Sequence, residues 1–149
     1  MMEINIYTDG SCEGNPGPGG WAALIVSSSK KEEISGGEKL TTNNRMELTA
    51  AIKALEHCSM QEDKQLALKQ IKIYTDSNYV KNGITVWINN WEINNWKTTD
   101  KKNVKNVDLW KKLKELTKSK QIEWIWVKGH SGNQMNELVD SLAKKATPI

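Results

Sequence analysis

Ile4-Asn5-Ile6-Tyr7-Thr8-Asp9 recurs as Ile71-Lys72-Ile73-Tyr74-Thr75-Asp76, the shared pattern being Ile-x-Ile-Tyr-Thr-Asp. Each run is rich in β-formers and ends at an aspartate, followed by Gly10-Ser11 or Ser77-Asn78, residues that stop a strand. Period-2 alternation puts Ile4, Ile6 and Thr8 on one face and Asp9 among the residues of the other. Two such strands lying side by side and parallel would bring Asp9 and Asp76 out together at their carboxyl ends. Open α/β sheets hold ligands at that edge.

The elements around this pair follow from periodicity and punctuation. Gly14-Asn15-Pro16-Gly17-Pro18-Gly19-Gly20 is turn-rich, Trp21 to Val26 reads as a buried strand, and Glu32 to Gly37 as a weaker third strand. A helix should start near Thr42-Asn43-Asn44, where Thr or Asn can cap it, and run to about His57 with Leu48, Ala51, Ile52 and Leu55 on its apolar face. After the strand at 71–75, short helical pieces are expected over 77–90 and an amphipathic helix over 107–118. A strand is expected over 122–127, then a last helix whose period is set by Met135, Leu138, Val139, Leu142, Ala143 and Ala146. The order predicts an α/β fold: a mixed five-stranded sheet flanked by helices. The connection from Ser59 to Gln70 is long and polar at its centre, and is read as a helix end or loop without catalytic meaning.

At 149 residues the chain fits one domain, and no linker or low-complexity stretch divides it. Its longest apolar run, Trp21-Ala22-Ala23-Leu24-Ile25-Val26, is far short of the roughly 20 residues that cross a bilayer. The N-terminus has neither a basic nor an apolar signal region, and Cys12 and Cys58 are too few for a disulfide framework. A cytoplasmic protein that makes no membrane contact is expected. The formal charge of +3 is unevenly spread. Residues 1–80 carry 8 Lys+Arg against 11 Asp+Glu, residues 81–128 carry 11 Lys against 5 acids, and 129–149 balance at 2 against 2. The basic segment also holds six of the seven Trp. Basic residues interleaved with aromatics suit a nucleic-acid backbone; a solvated helix whose Trp face the core would show the same composition. Trp110, Trp124 and Trp126, at helix and strand positions, are assigned to the core.

Asp9 and Asp76 end strands, Glu47 lies in the first turns of a helix, and Asp140 lies on the last helix beside its apolar stripe. A carboxylate next to a core stripe must be paired, hydrated or metal-bound. Four gathered acids would repel one another without a divalent cation, and hard oxygen ligands suit Mg²⁺ or Mn²⁺ far better than Zn²⁺. Singly, these residues also serve as turn formers, a helix N-terminal acid and a surface acid, and spacings of 38, 29 and 64 residues form no local metal motif. His130, in Val127-Lys128-Gly129-His130-Ser131-Gly132, stands on a Gly-bounded loop where an imidazole could move protons near neutral pH.

Thr8-Asp9-Gly10-Ser11-Cys12 with Gly14-Asn15-Pro16-Gly17-Pro18-Gly19-Gly20 resembles the opening of the type 1 ribonuclease H family. Thr41-Thr42-Asn43-Asn44-Arg45-Met46-Glu47-Leu48, Thr75-Asp76-Ser77, Trp126-Val127-Lys128-Gly129-His130 and Asn136-Glu137-x-x-Asp140-x-Leu142-Ala143 resemble its other hallmarks, in the family's order. The resemblance implies an endonuclease that hydrolyses the RNA strand of an RNA/DNA hybrid, acts as a monomer, and leaves 5′-phosphate and 3′-hydroxyl ends. It implies two Mg²⁺ ions, with Mn²⁺ as a substitute, on Asp9, Glu47, Asp76 and Asp140, Asp9 bridging both. One ion would activate water and the other would stabilise the leaving 3′-oxygen. His130 would assist proton transfer or product departure.

Only RNA offers 2′-hydroxyls in the minor groove, and neutral donor–acceptor groups can read them. By the same resemblance Asn15, Asn43, Asn44, Asn78 and the backbone near Cys12 are candidates for that task, and Thr42 for a DNA-strand phosphate. Residues 84–107, with Trp87, Trp91, Trp96, Lys97, Lys101, Lys102 and Lys105, resemble the basic protrusion that grips the DNA strand in bacterial enzymes. Between Trp91 and Trp96 the chain reads Glu92-Ile93-Asn94-Asn95, less basic than its relatives, which predicts weaker and less salt-sensitive hybrid binding. A noncatalytic hybrid-binding module and a DNA-acting, integrase-like nuclease are the alternatives; the four acids argue against the first, and the Asn set and Lys-Gly-His loop against the second. The Trp-rich segment as a protein-interaction surface is a further alternative.

Overall fold

The computed structural model describes residues 3–28, 30–60, 70–118, 120–129 and 133–148. Five strands form one sheet in the order β3-β2-β1-β4-β5: β1 (Glu3–Cys12), β2 (Gly17–Val26), β3 (Lys31–Thr41), β4 (Gln70–Thr75) and β5 (Gln121–Trp126). β1–β2 and β2–β3 are antiparallel, whereas β1–β4 and β4–β5 are parallel. The helices are α1 (Asn43–Met60), α2 (Asn78–Asn82), α3 (Ile88–Ile93), α4 (Val107–Thr117) and α5 (Gln134–Ala146). A π-helical segment, Gly83–Trp87, joins α2 to α3.

The repeated hexapeptide behaves as its pattern requires. Ile4 pairs with Ile71, Ile6 with Ile73 and Tyr7 with Tyr74 in parallel register. One expectation is corrected: β1 does not stop at Gly10-Ser11. It runs on to Cys12 because its other neighbour, β2, continues to pair with it, Asp9 facing Ala22 and Cys12 facing Gly19. Asp9 therefore stands inside a strand, just past the point where the β4 ladder gives out.

Alternation then divides the core between the two faces of the sheet. Ile4, Ile6, Ile71 and Ile73 pack against Leu48, Ala51, Ile52 and Leu55 of α1 and, further out, Trp110 and Leu113 of α4. Each fully buried Leu or Ile here contributes about 1.5–3 kcal/mol. On the opposite face Ala22 and Leu24 receive Val139 and Ala143 of α5, with Tyr7, Met135, Leu138 and Leu142 at the margin. Thr42 caps α1 by accepting the Arg45 N–H at 3.2 Å, Ser77 caps α2, and Asn133 caps α5. Trp110 is fully buried and Trp124 packs against the core, but Trp126, assigned to the core from its strand position, is 42% exposed. It shares a face with Ile122 and Trp124, which pack against the core, but stands at the carboxyl end of the edge strand. Among the described residues no helix is long and apolar enough to cross a membrane.

Candidate active site

Three carboxylates converge at the carboxyl end of β1 and β4. Asp9, Glu47 and Asp76 each offer an oxygen, and these oxygens lie within 4.8 Å of one another. The approach of α1 that makes this possible depends on Gly10: a Cβ there would stand 2.5 Å from the Glu47 backbone nitrogen. Asp76 is fixed from three sides. The Ser77 N–H bonds to Thr75 Oγ1 at 3.0 Å, the Val127 N–H bonds to the Thr75 carbonyl at 2.9 Å, and Trp126 Nε1 donates to the Asp76 carbonyl at 3.0 Å.

The acids are poorly solvated. Asp9 is 6% exposed and Glu47 4%, and Glu47 Oε1 is buried with no hydrogen-bond partner among the described residues. Burial, then the charge of Asp76, pushes the Asp9 carboxyl up to about 8, with Asp140 adding to the rise. Burial also pushes Glu47 well above the usual range, helped by Asp9 and Asp76. Contacts between two carboxyl groups attract only while a proton is shared; ionised, they repel. An unpartnered buried oxygen within a set of hard donors fits a divalent cation, which would satisfy that oxygen and offset the repulsion together.

Asp140 lies beside this group rather than in it. It lines the same small cleft as Thr8, Asp9, Asp76, Gly129, Asn136 and Glu137, and its carboxylate pairs with Lys144 one helical turn on, at 3.1 Å. Asn136, 9% exposed, brings to this cleft a second buried oxygen, Oδ1, that has no hydrogen-bond partner among the described residues. His130 lies outside the described residues, as does 61–69 of the long connection after α1.

The other sequence-predicted residues fall into two groups. Asn15 Oδ1 accepts the Asn43 N–H at 3.0 Å, tying the Gly-Pro loop to the start of α1, where Asn43 and Asn44 are exposed. Cys12 Sγ donates to the Gly14 carbonyl at 2.9 Å within that same loop, and the Thr42 oxygen, engaged as a cap, has no acceptor for its own O–H among the described residues. Asn78 is exposed at the first turn of α2, close behind Asp76 in the chain. The protrusion is separate from this rim. Trp87 is 38% exposed, and Trp91 is half-buried among Trp87, Trp96 and Trp110. Lys97 bonds to Asn103, while Lys101 and Lys102 stand exposed on the turn between α3 and α4. Sequence reasoning did not find the bond from Trp126 to Asp76 or the Arg45–Asp108 pair; neither spacing nor composition signals either one.

This sheet order, with buried acids at the carboxyl end of its central parallel pair, defines a nuclease-type acidic site. The ribonuclease H family model matches residues 1–147, and the chain belongs to that family. It is 54% identical over 142 residues to a ribonuclease H of Methylobacillus flagellatus, covering 95% of this chain and 89% of that one. Among solved structures it is similar to LC9 ribonuclease H1, described as a type 1 enzyme with the type 2 active-site motif, with a TM-score of 0.87 and 29% identity over 99% of this chain and 72% of that one. LC11 ribonuclease H1, solved in complex with an RNA/DNA hybrid, shares the fold with a TM-score of 0.73 at 24% identity, covering 97% of this chain and 96% of that one.

Proposed function

We propose that this ribonuclease H is a single catalytic domain, acting as a monomer, that hydrolyses the RNA strand of RNA/DNA hybrids. Asp9, Glu47, Asp76 and Asp140 would hold two Mg²⁺ ions, or Mn²⁺ in their place, and the products would carry 5′-phosphate and 3′-hydroxyl ends. The observation that carries this reading is the buried triad with its unpartnered Glu47 oxygen. When bound, the ions supply Lewis-acid activation of water and charge stabilisation at the leaving oxygen.

The chain's own residues do the rest. Asp9, held between Glu47 and Asp76, sets the position of the site on a rigid strand. Asn15, Asn43, Asn44 and Asn78 present neutral donors and acceptors to 2′-hydroxyls, and the backbone near Cys12 borders the same groove. Thr42 directs its O–H to a DNA-strand phosphate. Trp87, Trp91, Lys97, Lys101 and Lys102 grip that strand further along, and His130 moves a proton or eases product departure.

A strand-labelled cleavage assay on one RNA/DNA hybrid, beside matched RNA and DNA duplexes, with Mg²⁺ and with EDTA, tests this. Metal-dependent cutting of the RNA strand in the hybrid alone is expected. Cutting of the DNA duplex would point to the integrase-like alternative, and binding without cutting to a noncatalytic module.

A further inference from the structure

Arg45 stands two residues before Glu47 on α1, yet its side chain turns away from the carboxylates and toward α4. Nη2 donates to Asp108 Oδ2 at 2.9 Å, and Nη1 donates to Asp108 Oδ1 at 3.1 Å and to Asn106 Oδ1 at 3.2 Å. Asn106 is held in the left-handed region, φ 60°, at the residue that opens α4. Its Nδ2 donates to the Tyr79 hydroxyl at 3.1 Å, and Trp110 Nε1 donates to the same oxygen at 3.1 Å. From Trp110 the contacts pass to Trp91, with ring centroids 5.3 Å apart, and from Trp91 to Trp87 and Trp96 at 5.9 and 6.4 Å. Gly83 keeps this packing close, since a Cβ there would meet the Trp110 ring at 2.0 Å. One guanidinium thus joins the helix that carries Glu47 to the aromatic base of the protrusion.

The Asp108 side chain is 62% exposed, and an exposed ion pair contributes little to stability. A two-pronged Arg–carboxylate pair does something else: it fixes distance and orientation between the elements it joins, which a Lys cannot reproduce. We propose that Arg45 is a positioning residue that sets the register between the basic protrusion and the carboxylate site, so that a duplex held at the one is presented correctly at the other. This rests on the reading of the protrusion as a grip on the DNA strand.

The test compares a short hybrid confined to the cleft with a long one that reaches the protrusion. The two are defined in the unsubstituted enzyme by whether Lys101→Ala with Lys102→Ala raises KM. Arg45→Met and Asp108→Asn should each raise KM on the long hybrid about fivefold, change kcat by less than about twofold, and move the preferred cut positions. On the short hybrid both constants should stay unchanged. Arg45→Lys, which keeps the charge and loses the fork, should show the same defect.

The sign for Asp108→Asn is decisive. Removing a negative charge would lower KM if only long-range attraction of the duplex mattered, and a lowered KM overturns the proposal. So does rescue by Arg45→Lys, or an equal loss on both hybrids, or no loss on either. If the unsubstituted enzyme cuts neither hybrid, the functional reading itself fails. If the lysine substitutions matter at no length, the reading of the protrusion fails and this proposal with it.

Discussion

Tyr7 and Tyr74 face each other in register on adjacent parallel strands and stack, with ring centroids 4.6 Å apart and planes 12° from parallel. Each lies two residues before an acid: Asp9, on the same face of β1 as Tyr7, and Asp76, the residue just past the end of β4. The stack fixes the relative height of β1 and β4 just where their hydrogen-bond ladder ends. Two carboxyl groups are thereby delivered side by side at an edge where Asp9 is buried and Asp76 half-buried.

Asp9→Asn should remove turnover, by at least about a thousandfold, since losing a charged ligand forfeits several kcal/mol of charge stabilisation. The same substitution should raise the melting temperature of the metal-free protein near neutral pH, because the folded state no longer has to hold at Asp9 a proton that the unfolded chain releases. Cleavage and thermal unfolding measured on one preparation check both. Near-normal cleavage would remove Asp9 from the site.

The raised Asp9 carboxyl gives a pH dependence with a definite sign. Its ordinary value is 3.8 and its folded value about 8. Below the lower value both states are protonated and nothing is lost. Between the two, the unfolded chain releases a proton that the folded one keeps, so the stability of the metal-free protein falls as pH rises, and the loss is complete above about 8. Denaturant midpoints taken without metal should decline across this window; the decline should flatten in Asp9→Asn and with saturating Mg²⁺. An upward trend would contradict the burial of this acid.

Trp126→Phe keeps most of the ring but deletes the donor to the Asp76 carbonyl. Groups that orient metal ligands typically change activity or metal affinity by 10–100-fold; a loss of about tenfold is expected here. With the ring 42% exposed, the melting temperature should hardly move. A kinetic titration with Mg²⁺ beside a melt separates these effects, and unchanged kinetics would reduce the bond to a packing detail.

Gly10→Ala forces a Cβ to within 2.5 Å of the Glu47 nitrogen and 2.6 Å of the Met46 carbonyl carbon. Backbone cannot step aside as a side chain can. A loss of roughly 1–3 kcal/mol in stability is expected, together with reduced turnover as α1 is pushed outward. Urea unfolding and cleavage assays would show both losses, and an unaltered midpoint would mean that the helix is less closely seated.

His130→Ala should slow turnover and leave measurable activity, since proton transfer by one side chain typically contributes 10²–10⁴-fold and water can replace it in part. A rate unchanged across neutral pH would make His130 a bystander.

Much of this site is visible in the chain because it is written in short-range rules. The Ile-x-Ile-Tyr-Thr-Asp repeat encodes both strand type and the position of its acid, and helical period puts Glu47 about a quarter-turn from the centre of the Leu48, Ala51, Ile52 and Leu55 stripe, at the margin of the buried face. Strand ends are another matter. Gly10-Ser11 looks like a stop, yet β2 supplies partners there, and a local signal cannot report what a neighbouring strand offers. Trp126 differs for a related reason: alternation puts it on the core-facing side with Ile122 and Trp124, but does not say where along the strand the covering core ends. The Arg45–Asp108 pair spans 63 residues between two charged side chains that each look like ordinary surface, and only the packing of α1 beside α4 joins them.

The crowding of aromatic rings in the protrusion has an optical consequence. The chain has seven Trp and no Phe, and Trp87, Trp96 and Trp110 surround Trp91 at inclinations of 52°, 37° and 59°. Indole transition dipoles this close and this inclined couple to one another, so the near-ultraviolet circular dichroism should be dominated by this one cluster. Trp126, bonded to the Asp76 carbonyl, stands apart and should answer through its fluorescence when the acids beside it change charge. The molecule thus carries two native spectroscopic channels, one for the arm and one for the reaction centre.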